Sequence, residues 1–184
     1  MSKYTTLILL AIILAIVLII GLYLFTMPQP SIQPINTTGA ITNFDDCLAT
    51  GQPILESYPR QCQANGQTYV EDIGNTLAKV DLIRLDQPMP NQIISSPLTI
   101  TGQARGIWYF EASFPIKLLD GNGQEIAIAI AQAQGEWMTE EFVPFTAQIT
   151  FTKPSTAKGT LILEKDNPSD LPANSDQLSV PIKF

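Results

Sequence analysis

Between Leu7 and Phe25 the chain reads LILLAIILAIVLIIGLYLF, nineteen residues without a charge. At about 1.5 Å per residue, a helix of this length would extend about 28 Å, close to the thickness of a bilayer core. One lipid-spanning helix at this end leaves the remaining chain on one side of a membrane, as an anchored soluble portion. Lys3 and the α-amino group are the positive charges on the N-terminal flank, and residues 26–43 carry no Lys or Arg. The positive-inside bias therefore predicts a cytoplasmic N-terminus and an exported C-terminal portion. The competing reading is a cleaved signal peptide. Such a peptide has an apolar core of about 7–15 residues and an A-x-A-like cleavage step. Here the run is longer and passes into Gly-Leu-Tyr-Leu-Phe-Thr-Met-Pro. Tyr23 and Phe25 suit the far interface, where aromatic rings sit at headgroup level. The prediction is an uncleaved signal anchor over residues 1–26, partnered by the lipid bilayer through residues 7–25.

The two cysteines, Cys47 and Cys62, both follow the apolar run. An oxidising compartment favours pairing them, and the short loop they would close is worth about 3 kcal/mol in the chain-entropy model. Two free thiols are the alternative. The spacing does not suit a redox C-x-x-C pair. A chain with no His and two thiols also lacks the four ligands of a structural zinc site. The net charge of −7 argues against nucleic acid, which needs a basic face, and against anionic lipid held through a basic patch. The absence of His removes the commonest general base. No cofactor or metal is expected.

Beyond the anchor, residues 27–43 form a polar spacer punctuated by Pro28, Pro30 and Pro34, of a composition that favours extended chain. Residues 44–74 form a two-cysteine module. In it, Asp45 or Asp46 is placed to cap a helical turn around Cys47–Thr50. Asn65-Gly66 signals a tight turn before a short strand at Thr68–Val70. The segment is too small to build a core alone, so the disulfide would act as its staple. Its Gly51-Gln-Pro53, Glu56-Ser-Tyr-Pro-Arg-Gln-Cys62 and Tyr69-Val-Glu71 resemble a two-cysteine segment that recurs in exported bacterial and archaeal proteins. Glu56–Arg60 is either an exposed recognition loop held by the bridge or a small structural knob.

Residues 80–184 read as all-β. Leu98, Ile100, Gly102 and Ala104 alternate with polar residues, as do Phe145, Ala147, Ile149 and Phe151, and again Leu178, Val180, Ile182 and Phe184. This period-two pattern predicts half-buried strands. Further strands are predicted at 81–86, 113–119, 124–131 and 159–165, with Asp120-Gly-Asn-Gly123 as a hairpin turn. Pro181 marks an edge strand, since it cannot donate to a ladder. About seven short strands predict an immunoglobulin-like antiparallel β-sandwich.

A set of segments in order carries a resemblance: Ser96–Gly102, Trp108-Tyr-Phe-Glu111, Phe114–Gly123, Gly135-Glu-Trp-Met-Thr139, Phe142-Val-Pro-Phe145, Gly159–Leu163, Asp166-Asn-Pro-Ser169 and Val180-Pro-Ile182. Over residues of about 82–184 this resembles the immunoglobulin-like domain of bacterial spore-germination proteins (the GerMN-associated type). The resemblance implies a bacterial, extracytoplasmic, non-enzymatic sandwich.

For catalysis, the carboxylates Glu111, Glu140, Glu141, Asp166 and Asp170 would have to pair across a cleft, and on strands and loops they read more simply as solvated acids. The contrast is sharper for Trp108, Tyr109, Phe110, Trp137 and Met138. Exposed, they would stack on sugar rings or anchor a protein; buried, they fill a core, which is the simpler reading for most of them. Neighbours on a strand point to opposite faces, so one of Trp108–Phe110 must lie outside the core. The candidate binding surface is therefore Trp108, Tyr109, Phe110 and Trp137 with Asp166, Asn167 and Asp170 of the acidic loop. The expected function is binding or scaffolding at the cell envelope, with an envelope protein or a cell-wall polymer as partner. The alternative is an inhibitor or regulator of an extracytoplasmic enzyme, acting through the Cys47–Cys62 loop.

Overall fold

The computed structural model describes residues 40–184, together with Ile16, Leu18 and Ile20, which are helical. Most of the expected anchor, its flanking charge and most of the spacer lie outside the described residues. Among the described residues no helix is long and apolar enough to cross a membrane. Ala40–Phe184 form one compact unit.

The unit begins with a small layer. Helix α1 (Phe44–Ala49) packs on a three-stranded antiparallel sheet of β1 (Ile54–Leu55), β2 (Gln61–Ala64) and β3 (Gln67–Val70). The helix cap corrects the sequence expectation. Asn43, not Asp45 or Asp46, is the N-cap, and its side chain accepts from the Asp46 N–H. Asp46 reaches back to the N–H and hydroxyl of Thr42, so Asn43 satisfies a first-turn donor while Asp46 ties down the residue before the cap. Cys47 and Cys62 are joined by a disulfide and lie fully buried with Phe44, Ala64 and Tyr69. Three buried side chains around one cystine make a core that could not hold alone.

Helix α2 (Thr76–Lys79) leads into β4 (Ile83–Gln87), β5 (Leu98–Arg105), β6 (Ser113–Asp120), β7 (Glu125–Ala133), β8 (Phe142–Ile149), β9 (Lys158–Glu164) and β10 (Gln177–Lys183). All seven are antiparallel, in the order β10-β9-β6-β7-β8-β5-β4. The result is an all-β, immunoglobulin-like domain whose two expected layers are one continuous, strongly folded sheet. The junction is β7, which pairs along β6 from Ser113 to Leu119 but meets β8 only at Gln132 and Ala133. The alternating residues predicted to face inward do so: Ile100, Ala104, Phe145, Ala147, Ile149, Leu178, Val180 and Ile182 are buried. The Phe114 ring meets Phe145 edge-on at 4.9 Å and Tyr109 at 5.2 Å, within the range where such pairs add to simple burial.

Pro181 lies on an edge strand as predicted, and its missing N–H falls on the outer side of β10. That side is covered. Asn75 exchanges hydrogen bonds with Ser179 and donates to Gln177 O, while Asn91 donates to Pro181 O. The outer rail of β10 is thus satisfied by residues of the two connecting segments, which protects it from foreign pairing. Gly74 is required here. Its φ is +67°, and a Cβ would lie 1.9 Å from Ser179 O.

Candidate functional site

Three loops meet at one end of the sheet, where the sequence places the candidate surface. Gly106–Trp108 form a 3-10 turn after β5. Gly106 packs so tightly against the Trp137 and Thr139 carbonyls that a Cβ would lie 2.3 and 2.0 Å from them. The Trp108 carbonyl accepts from the Asp166 N–H at 3.0 Å. These two contacts bring the 134–141 and 165–176 loops to the same place as Trp108–Phe110.

The structure divides the aromatic residues. Trp108 is 0% exposed and Tyr109 is 4% exposed. Both belong to the core, which corrects their assignment to a binding surface. The tight turn explains why two neighbours are buried together, since strand alternation does not apply across it. Phe110 is the outward ring, 42% exposed. Trp137 is half-buried against the core. The surface also includes Met138, named with the aromatics and 74% exposed, and Ile107, 60% exposed, which the aromatic pattern did not indicate; the two complete an apolar rim.

The backbone beneath this rim is held in an uncommon shape. Phe110 and Ser113 exchange backbone hydrogen bonds around Glu111 and Ala112, which have φ of +49° and +60°. Consecutive non-glycine residues in the left-handed region cost free energy and persist only where surroundings enforce them. Tyr109 contributes to that enforcement. Its hydroxyl donates to Val143 O at 2.7 Å, and burial raises its pKa to about 12. Trp108 Nε1 has no partner among the described residues.

The acidic loop is internally committed. Asn167 donates to Leu171 O and Ser175 Oγ and accepts from Ser169 Oγ, so it shapes the loop and has little left for a ligand. Asp176 pairs with Lys79. Asp166 and Asp170 line an open polar cleft of about 570 Å³ with Glu164, Lys165 and Pro115. At the opposite turn, the Asp120 carboxylate accepts from the Asn122 and Gln124 N–H groups, which hold its pKa below the usual carboxylate range. No cluster of three metal-ligating side chains occurs among the described residues.

The Glu56–Arg60 segment also divides. Tyr58 is exposed, but Arg60 is tied to Glu71 by two hydrogen bonds and lies over the Phe44 ring. A second cleft, of about 480 Å³, separates this module from the sheet and is bridged by Asp45 bonded to Lys158 at 2.7 Å.

A family profile for the immunoglobulin-like domain of bacterial spore germination matches residues 82–171. The match bears out, over these residues, the resemblance read from the sequence. The match begins one residue before β4 and ends in the acidic loop, so it covers six of the seven strands described above. The loop end carrying Phe110 therefore lies within the matched domain, whereas β10 and the cystine module lie outside the match. No curated protein and no solved structure matches the chain at a significant level.

Proposed function

We propose that the protein is a membrane-anchored, extracytoplasmic binding or scaffolding protein of the bacterial cell envelope, working by recognition and not by catalysis. The observation that carries this reading is the exposed rim of Ile107, Phe110 and Met138 on a strained, tightly packed loop end. Apolar groups presented on a rigid base lose little conformational freedom on binding. The membrane placement rests on the apolar run Leu7–Phe25, and the bacterial envelope setting rests on the family match. The partner is an envelope protein or a cell-wall polymer that lays an apolar or ring face against Phe110.

The test is capture from detergent-solubilised envelope with the full chain and with Phe110→Ala, using purified cell-wall polymer as competitor. Binding that is lost in the variant while its melting temperature is kept supports the reading, and competition by the polymer assigns a glycan ligand. Undiminished capture by Phe110→Ala overturns the assignment of the surface. If capture falls instead with Tyr58→Ala, the cystine module is the recognition element, as an inhibitor or regulator would require.

A further inference from the structure

Strands β5 and β8 contain no Asp or Glu, although the chain carries 17 of them. Ile100, Ala104, Phe145 and Ala147 are buried, so alternation turns Thr99, Thr101 and Gln103 outward on β5, and Thr146 and Gln148 outward on β8. Thr99 stands opposite Gln148, and Thr101 opposite Thr146. The result is a patch of hydroxyl and amide groups without charge. At one end of it Arg84 of β4 stands opposite Gln103, and Arg105 of β5 opposite Phe142 of β8.

The two arginines converge. Their guanidinium carbons lie 4.1 Å and 4.4 Å from the centroid of the Phe142 ring, where the ring face attracts a cation. Main-chain carbonyls orient them further. Arg84 Nε donates to Val80 O, and Arg105 donates through Nε to Asp81 O and through Nη1 to Glu140 O. The five ion pairs among the described residues use Arg60, Lys79, Lys117, Lys158 and Lys183. Asp81 and Glu140 thus meet Arg105 through their carbonyls and not their carboxylates. Two like charges on one ring repel, yet in a chain of net charge −7 these two come together with no acid paired to them. The planar fork of each matches a carboxylate or a phosphate. The pair also adjoins the exposed rim, since Glu140 belongs to the loop of Met138, and Ile107 follows Arg105 by two residues.

We propose that this face binds an acidic glycan, whose carboxylate or phosphate is held by Arg84 and Arg105 while its hydroxyls bond to the Thr and Gln patch. The inference rests on the reading of the protein as an envelope binder, and it chooses the polymer over a protein partner. The neutral patch makes that choice. Sugar hydroxyls both donate and accept, and Thr hydroxyls and Gln amides offer both functions in return. An acidic peptide would pair with the arginines but would bring no row of hydroxyls to the patch.

The test measures binding of purified polymers to the full chain in uncharged detergent: oligogalacturonate for the carboxylate, phosphomannan for the phosphodiester, and dextran as the neutral control. An acidic glycan is expected to bind and dextran not, with affinity falling as salt rises; which of the two acidic polymers binds assigns the anion. Arg84 is exposed, so Arg84→Gln is expected to weaken binding at least about tenfold with unchanged melting temperature. Arg84→Lys, which keeps the charge and loses the fork, should recover only part of the affinity. Lys153→Gln, which removes an exposed charge beyond the other end of β8, should change nothing. Failure of both acidic polymers to bind, undiminished binding by Arg84→Gln, or an equal loss with Lys153→Gln overturns the proposal. Polyglutamate bound as tightly as the acidic glycans also overturns it and gives the arginines to an acidic protein. Envelope capture that depends on Phe110, without any binding of acidic glycan, overturns this inference alone. Glycan binding that depends on Arg84, with envelope capture indifferent to Phe110, overturns only the rim.

Discussion

The guanidinium of Arg60 grips the carboxylate of Glu71 through two parallel hydrogen bonds, Nε to Oε2 at 2.8 Å and Nη2 to Oε1 at 2.6 Å. Glu71 is 8% exposed and also accepts from Asn91 Nδ2, which donates to Asp72 O as well. One carboxylate thus joins β2, the end of β3 and the segment that covers β10. The forked geometry needs an arginine, since a lysine is a point charge without the fork.

Hydrogen bonding from Arg60 holds the Glu71 pKa below the usual carboxylate value, with burial opposing. A depressed folded pKa stabilises above the unfolded value, about 4.3, and that contribution is lost as pH falls through the folded value. Asp45 shifts the same way through Lys158. Glu71→Gln is expected to lower stability at pH 7 by about 1–3 kcal/mol, less than for a fully buried pair because Arg60 is partly exposed. It should also flatten the fall in melting temperature below about pH 4.5. Calorimetry of both proteins from pH 3 to pH 7 measures the difference.

Tyr109 gives the opposite limb. Burial raises its pKa to about 12, above the unfolded value of about 10. The folded state then holds the proton more tightly, so stability is present below about pH 10 and falls as pH rises toward 12. Absorbance at 295 nm should show one tyrosine titrating late. Tyr109→Phe should remove that phase, along with the hydrogen bond to Val143 O, at a cost of about 1 kcal/mol.

Much of this fold was legible in the sequence, and the exceptions have physical reasons. Strands whose two faces differ, such as Leu98–Ala104 and Leu178–Lys183, announced both their type and their inward side. β7 announced only its type, because alanine and isoleucine are both apolar and the alternation does not say which faces in. Alternation required that one of Trp108–Phe110 lie outside the core, and Phe110 does; which of the three it would be was not legible, because Gly106–Trp108 form a 3-10 turn and not a strand. The cap at Asn43 was hidden by two adjacent aspartates of equal propensity. The β1–β2 pairing escaped notice because two residues carry no period. The merging of two layers into one sheet depends on two residue pairs, Gln132–Thr146 and Ala133–Phe145, which no pattern within either strand encodes.

The division between Trp108 and Phe110 can be measured directly. Trp108→Ala removes a fully buried indole and should cost about 3–5 kcal/mol. Phe110→Ala removes an exposed ring and should cost less than about 1 kcal/mol. Urea unfolding of the two variants checks the ranking. Comparable losses would mean that Phe110 is part of the core and would remove the basis for the binding surface.

Gly74 fixes how the cystine module joins the sheet. Any side chain there meets Ser179 O and must hold φ near +67°. Gly74→Ala is expected to lose about 2–4 kcal/mol and to expose the outer rail of β10. Hydrogen exchange should show the Ser179 and Lys183 amides, bonded to Asn75 and Gln92, losing protection before those of β5 and β8.

Opening the Cys47–Cys62 bridge should have a graded effect. The cysteines are 15 residues apart, and a loop of that size is worth about 3 kcal/mol in the chain-entropy model. The small core of Phe44, Ala64 and Tyr69 has little else to hold it. Cys62→Ser should therefore melt residues 44–70, seen as lost amide protection in α1, β2 and β3. The β-domain has its own core and should remain folded, but not untouched. Glu71, Gly74 and Asn75 follow directly from β3 and cover the edge at Ser179, so a loosened module should raise exchange along β10 as well. Protection unchanged throughout would show that the bridge is dispensable. Global unfolding would show that the module and the sheet form one cooperative unit, with the cystine as its anchor.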